Sequence, residues 1–243
     1  MAGTRVLVLL VVSVSVLFVF STYPYLATAI TYRRRDNGLA YIVFIMGVGI
    51  WNGTFAAQVL SGEPFVEAYF LSLSMVGALL AGLGWFLFAS TAGSTPRVPR
   101  HRSVYGALGA VIGASIALAG TTPVHSTYWH STVSPGPVPF ATVVPAVGYW
   151  VYTLLLVGLF GSGTLLFAVA WRRRVDVVYT RVYAAVGAVA CVSLVASNVL
   201  LPGGATLAPL AAGCLSTTGW IQAQRKSPSH PLPVRWVSDF IGR

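Results

Sequence analysis

The chain is short of charge. Only 8% of its 243 residues are Asp, Glu, Lys or Arg, and five are acidic. A soluble domain carries roughly 25% charged residues, so this surface does not face water all round. The deficit excludes an ordinary soluble enzyme. With 56% hydrophobic residues, it also excludes a disordered chain, which needs low hydrophobicity and high charge. Cysteine is equally scarce: Cys191 and Cys214 both lie inside apolar runs and read as small packing residues, not as a disulfide frame or a metal site. Lysine occurs once, as Lys226, beyond the last apolar run. A retinal Schiff base needs a lysine amine inside the bundle, so a rhodopsin is excluded. No apolar run has a Lys, Arg, Asp or Glu near its middle, where proton pumps and many ion-coupled carriers place carboxylates. There is no HExxH, no pair of intramembrane aspartates and no phosphate-cradling glycine loop. An enzyme is not expected, and no catalytic residue, cofactor or metal is assigned.

What is abundant is apolar sequence in long runs, with a mean hydropathy of +0.77. The runs cover residues 6–30, 39–60, 65–91, 104–121, 144–171, 182–201 and 205–222. A spanning helix needs about 20 apolar residues, and helices satisfy their own backbone in lipid, whereas barrel strands alternate polar with apolar. The expected fold is therefore all-α, a polytopic bundle of seven transmembrane helices. Glycines inside the runs, such as Gly77, Gly82 and Gly84, or Gly158, Gly161 and Gly163, suit close helix contacts. A seven-helix membrane domain is assigned to 1–224 and a short basic cytoplasmic tail to 225–243. Within that tail, Trp236, Phe240 and Ile241 with Arg235 and Arg243 fit either a short amphipathic segment on the inner leaflet or a free end.

Charge alternates along the connections. Fourteen of the fifteen basic residues fall after the first, third, fifth and seventh runs: Arg33–Arg35, then Arg97, Arg100 and Arg102, then Arg172–Arg174 and Arg181, then the tail. Only Arg5 falls on the other side. The positive-inside rule then puts the N-terminus outside and the C-terminus in the cytoplasm of a cell-membrane protein. The net charge of +10 would suggest nucleic acid in a soluble protein. In these clusters it fits topology and anionic headgroups, so the lipid bilayer and not nucleic acid is the expected contact. Residues 6–20 also resemble a signal-peptide core with Ala27-Thr28-Ala29 as a cleavage site. Cleavage would place Arg33–Arg35 outside, against every other connection, so an uncleaved first helix is expected.

Polar residues cluster toward the outer side of this layout. Trp51, Asn52, Thr54 and Gln58 lie in the second run, and Ser193, Ser197 and Asn198 in the sixth. Tyr149, Trp150 and Tyr152 open the fifth. A small-molecule site combines apolar rings with a few amides. The expected pocket is bounded by Trp51, Asn52, Phe55, Trp150 and Asn198 and roofed by His125 and Trp129. The plainer reading makes the amides interhelical hydrogen bonds, worth about 0.6 kcal/mol each. Glu63 precedes Pro64, and with Glu67 it suits a helix N-terminus. The long outer connection, 122–143, carries Pro123, Pro135, Pro137 and Pro139, with Pro145 just beyond, and is stiff. It reads as a lid or an interfacial loop. His125 and His130 alone are too few for a usual zinc site.

These landmarks together resemble the seven-helix N-terminal sensor region of prokaryotic histidine kinases. Those that carry the resemblance, over nearly the whole chain, are Trp51 in the second run, GLGWFLFAS ending the third, TTPVHSTYW after the fourth and GYWVY opening the fifth. Pro123 stands where that family often has an Asn beside the histidine. The resemblance implies a membrane sensor ahead of cytoplasmic output modules. No phosphoacceptor or ATP-binding region follows Gln224 in this sequence, so output is expected through a separate cytoplasmic signalling protein such as a histidine kinase. A small ligand of unknown identity and a second copy of the chain are further candidate partners.

Two other classes stay open. YRRRD near Arg33 and WRRRVD near Arg172 lie about 139 residues apart, an offset that lays the first three helices over the last three. A three-plus-one-plus-three repeat suits a small-solute transporter. A structural membrane-assembly protein is the third reading. Orientation has a direct check. Ser126→Cys should react with an impermeant thiol reagent added outside intact cells, and Ser94→Cys should not. Reversed labelling would overturn the charge argument.

Overall fold

The computed structural model describes residues 2–31, 38–61, 63–92, 102–122, 125–130, 144–174, 177–200 and 208–225. The tail from 226, the first two arginine connections up to Arg100 and most of the proline-rich connection lie outside the described residues. So do the side chains of Trp129 and His130.

Seven helices run through the described chain: α1 (Ala2–Thr31), α2 (Gly38–Leu60), α3 (Pro64–Ala92), α4 (Arg102–Gly120), α5 (Val147–Arg172), α6 (Val177–Leu200) and α7 (Ala208–Arg225). The all-α reading holds, with one small addition. Strands β1 (Trp129–His130) and β2 (Val144–Pro145) pair antiparallel, Trp129 opposite Pro145. The hydropathy pattern started the fifth helix at 144. The structure starts it at Val147, because Val144 and Pro145 are spent on the strand. Five helices, α1, α2, α3, α5 and α6, are long and apolar enough to cross a membrane. The apolar stretch of α4 is shorter, Gly109–Gly120. The 18 residues of α7 rise about 27 Å against a hydrocarbon core of about 30 Å, and they include Ser216, Thr217, Thr218 and Gln222.

Local chemistry sets several boundaries. Pro64 opens α3, where a missing N–H costs nothing, and the N–H of Glu67 closes the first turn on the Glu63 carbonyl at 2.9 Å. At the end of α5, Arg174 takes a left-handed φ of 59° while its N–H bonds the Trp171 carbonyl at 2.9 Å. A glycine is the usual occupant of that position.

The helices close into a ring in the order α1, α2, α3, α5, α6, α7, with α7 returning to α1 and also touching α2. Helix α4 leans on α3 outside the ring. The tightest seam is α2 against α3. A methyl on Gly77 would sit 2.5 Å from the Trp51 backbone nitrogen, and methyls on Gly47 and Gly84 would strike the backbone at Ala81 and Phe44. With glycine on one side, backbone meets backbone, the small-residue packing that membrane helices use. Elsewhere Gly163 seats the Trp85 ring, Gly187 faces Thr164 and Gly213 faces Phe18.

One end of the bundle holds the α5–α6 arginine turn and the other holds the β-paired connection; they are called the arginine end and the loop end. Toward the arginine end, Trp85, Phe167 and Tyr183 stack with centroids 4.8 Å (Trp85–Phe167) and 4.7 Å (Phe167–Tyr183) apart, and Phe44 and Phe88 close the cluster. Trp85 is fully buried, and its indole N–H donates to Thr164 Oγ1 at 3.3 Å.

The seam can be tested with alanine alone. A glycine-to-alanine change in a helix gains up to about 1 kcal/mol in propensity. Gly158, with nothing within 4 Å of its added methyl, should show that gain or no change in detergent melting. Gly77→Ala should lose stability by about 1–3 kcal/mol, because the overpacked neighbour is backbone. Equal effects at the two sites would refute the close approach.

Candidate functional site

Sidedness in the packing explains where the polar groups go. Trp51 and Asn52 are neighbours on α2 and so point about 100° apart. The Trp51 ring turns toward α5, with its centroid 6.2 Å from that of Phe160, and is buried. Asn52 turns toward α7 and is fully buried. Its Nδ2 donates to two carbonyls, Val48 O within α2 and Pro209 O at the start of α7, both at 3.0 Å. Phe55, one turn on, packs with Val11, Val12, Ala56 and Val59 in a small cluster between α1 and α2.

Asn198 belongs to a different neighbourhood. It is half-buried on α6, and its Oδ1 accepts the Tyr149 hydroxyl of α5 at 2.8 Å. Its Nδ2 is spent on Leu194 O, 3.0 Å away in its own helix. Trp150, beside Tyr149, is 40% exposed on the bundle's flank and meets Tyr149 edge-on at 5.7 Å. Of the residues singled out from the sequence, the five on helices do not face one another: Trp51, level with Gly77 and Phe160, and Asn52 sit near mid-bundle, while Trp150 and Asn198 lie nearer the loop end. Asn52 and Phe55 look toward α1 and α7, Trp51 toward α5, Asn198 toward α5 from α6, and Trp150 away from the helices.

His125 stands in the connection after α4. Its Nε2 is 3.0 Å from Thr121 Oγ1, and its Nδ1 accepts the Thr127 N–H at 3.4 Å. Among the described residues no three metal-ligating side chains come together. Tyr128 is what fastens the connection. Its carbonyl accepts the Ala146 N–H at 2.8 Å, its ring meets Tyr152 edge-on at 6.2 Å, and its hydroxyl donates to Ser115 O on α4 at 3.3 Å. Burial pushes the Tyr128 phenol above its ordinary value, which keeps it a neutral donor. Gly148 lies so close beneath Thr127 that a methyl there would sit 2.7 Å from the Thr127 carbonyl oxygen. The two ends of the connection are thus tied to α4 and α5.

Tyrosine hydroxyls are the recurrent polar link between helices. Besides Tyr149, Tyr41 of α2 donates to Ser216 O of α7 at 2.8 Å, Tyr25 of α1 to Thr217 Oγ1 of α7 at 3.2 Å, and Tyr152 of α5 to Met75 O of α3 at 3.4 Å. Three buried polar atoms have no hydrogen-bond partner among the described residues: Ser15 Oγ, Asn52 Oδ1 and Thr153 Oγ1. Ser15 and Pro209 escaped the sequence reading. The first run is so uniformly apolar that no face stands out, and a backbone carbonyl leaves no trace in composition.

A bundle of seven helices, five of membrane length, is a multi-pass membrane protein. Over residues 6–223 the chain matches the family described as the N-terminal 7TM region of histidine kinase, and it belongs to that family. The family is the membrane sensor region of those kinases and not their catalytic part. Neither the curated proteins nor the solved structures give a match.

The Tyr149–Asn198 link joins α5 and α6 at the loop end. A double-mutant cycle with Tyr149→Phe and Asn198→Leu should return a coupling of about 0.6–1.7 kcal/mol, the range for hydrogen bonds between membrane helices. Additive losses in thermal melting would show that the bond does not hold the helices.

Proposed function

We propose that the chain is a cell-membrane sensor with its loop end outside and its arginine end in the cytoplasm, passing a signal to a separate cytoplasmic partner such as a histidine kinase. Its charge pattern supports that orientation, with Arg172–Arg174 and Arg181 at one end of the α5–α6 pair. The observation that carries the reading is a pair of amide hydrogen bonds between helices, Asn52 to Pro209 O near mid-bundle and Asn198 to the Tyr149 hydroxyl at the loop end. A bound small molecule competes with such bonds more readily than with stacked rings, and signalling needs two bundle states with different ligand affinity. Trp51, Asn52, Phe55, Trp150 and Asn198, beneath the connection carrying His125 and Trp129, form the proposed input region. Helix α7, gripped at Pro209 by Asn52, leads toward the basic tail and is the proposed output element.

Transport is the second reading, and the order of the ring favours it. Contacts of α1 with α2, α2 with α3 and α3 with α5 have counterparts in α5 with α6, α6 with α7 and α7 with α1, and α4 stands outside. That is the connectivity of two three-helix repeats.

Solute flux separates the two. Proteoliposomes holding the purified protein should leak small neutral and amino-acid solutes no faster than protein-free vesicles. In cells, Asn52→Leu and Asn198→Leu should reach the membrane at wild-type level and blunt phosphorylation of the partner kinase at least severalfold. Saturable flux would instead establish the transporter.

A further inference from the structure

We infer that Ser15 and Asn52 form a buried binding site, at the seam of α1, α2 and α7, for a neutral molecule that offers an O–H or N–H donor. The orientation of the Asn52 amide is fixed by its neighbours. Both Val48 and Pro209 present carbonyl oxygens at 3.0 Å, and only the NH2 end of the amide can face two acceptors. Oδ1 must therefore point the other way, where no described residue supplies a donor, and the side chain is 0% exposed. Ser15, also 0% exposed, leaves its hydroxyl without a partner among the described residues.

The register of α1 against α2 puts the two groups on one seam. Val11 and Val12 of α1 pack with Phe55, Ala56 and Val59 of α2. Deeper along the same pair, methyls built on Gly53 and Gly49 would meet Val19 and Thr22. Ser15 falls between these contacts on α1, while Asn52 lies among the deeper ones on α2, between Gly49 and Gly53. Along the axis they stand four to five residues apart, about 6–8 Å, too far for a direct bond. Nearby side chains such as Val11, Val12, Phe55 and Ala56 are apolar, and α1 beyond Arg5, α2 and α7 before Arg225 carry no Asp, Glu, Lys or Arg. A charged ligand would be stripped of water with no counter-charge, so the ligand class is neutral. Oδ1 takes a donor from it, and the serine hydroxyl donates to it or accepts from it. The same amide holds the first turn of α7 through its other end, so occupancy of the site bears on the helix assigned above as output. That role rests on the sensor reading; the binding does not.

The test reads stability, so its failure is separate from failure of the signalling experiment. An orphan hydroxyl in an apolar seam destabilises the fold, and its removal is neutral or stabilising. Alanine is also the better helix former. With the site empty, Ser15→Ala therefore melts at or above the wild-type temperature in detergent. With the site filled, we expect Ser15→Ala to melt lower by about 2–4 °C, the shift of a weak hydrogen bond in a chain of this size. In an Asn52→Leu background the same change should have no effect. Should Asn52→Leu fail to fold, Ser15→Ala alone decides. The source of the donor is settled by mass spectrometry of an organic extract of the purified protein. A neutral solute at about one per chain, lost from the Ser15→Ala protein, assigns the site to that solute. Destabilisation without any such solute assigns it to water. Ser15→Ala at or above wild type, or additive effects of the two substitutions, overturns the proposal.

Discussion

The close approach of α2 and α3 is the constraint on which the rest of the bundle depends. Lipid supplies no hydrophobic drive between helices, so association rests on van der Waals contact and a few hydrogen bonds. Gly47, Gly77 and Gly84 bring backbone onto backbone along most of that pair, and no other pair makes as extensive a contact. Fixing α3 this close to α2 sets where Trp51 and Trp85 emerge into the ring. Trp51 then meets Phe160, and Trp85 meets Phe167 and Tyr183, so α5 and α6 are positioned against a surface already built by α2 and α3. Helix α4 shares none of this. Its glycines at 106, 109, 113 and 120 face open space, and it touches the ring chiefly through α3.

On that frame rings pack at both ends. Interlocked rings have many contacts and no single one to lose, so the arginine end is stiff in the sense that matters for packing. Nearer the loop end the Tyr128, Tyr149 and Tyr152 rings also pack, and directional bonds from Tyr149 and Tyr128 add to them, with Asn52 bonding α7 near mid-bundle. The hydroxyls of Tyr41 and Tyr25 also reach α7, at Ser216 and Thr217.

Much of this was legible in the residues. Apolar run length decides between helix and barrel because the backbone has to be satisfied inside lipid, so the all-α bundle, its seven elements and their order followed directly. The landmarks GLGWFLFAS and GYWVY led to the family because they sit where the bundle needs bulk beside glycine: Trp85 in the first fills the ring centre, and Gly148 in the second lets the connection press on α5. The polar residues Asn52 and Asn198 were visible as exceptions to apolar runs.

Which way those exceptions point was not legible. Rotation of a helix about its axis is set by its neighbours, and in runs as evenly apolar as α1 and α2 no stripe of polarity marks a face. Trp51 and Asn52, adjacent in sequence, therefore part company only when Gly77 seats α3 beneath one and Pro209 presents its carbonyl to the other. Ser15 is unremarkable in the first run and becomes an orphan only when α2 closes over it. The strand pairing of Trp129–His130 with Val144–Pro145 joins residues whose separation no local pattern spans. The sequence by itself determined that this chain lives in a bilayer as a helical bundle and which family it belongs to, because those depend on composition and order. Tertiary structure alone decided which amide meets which carbonyl, because that depends on contacts between helices.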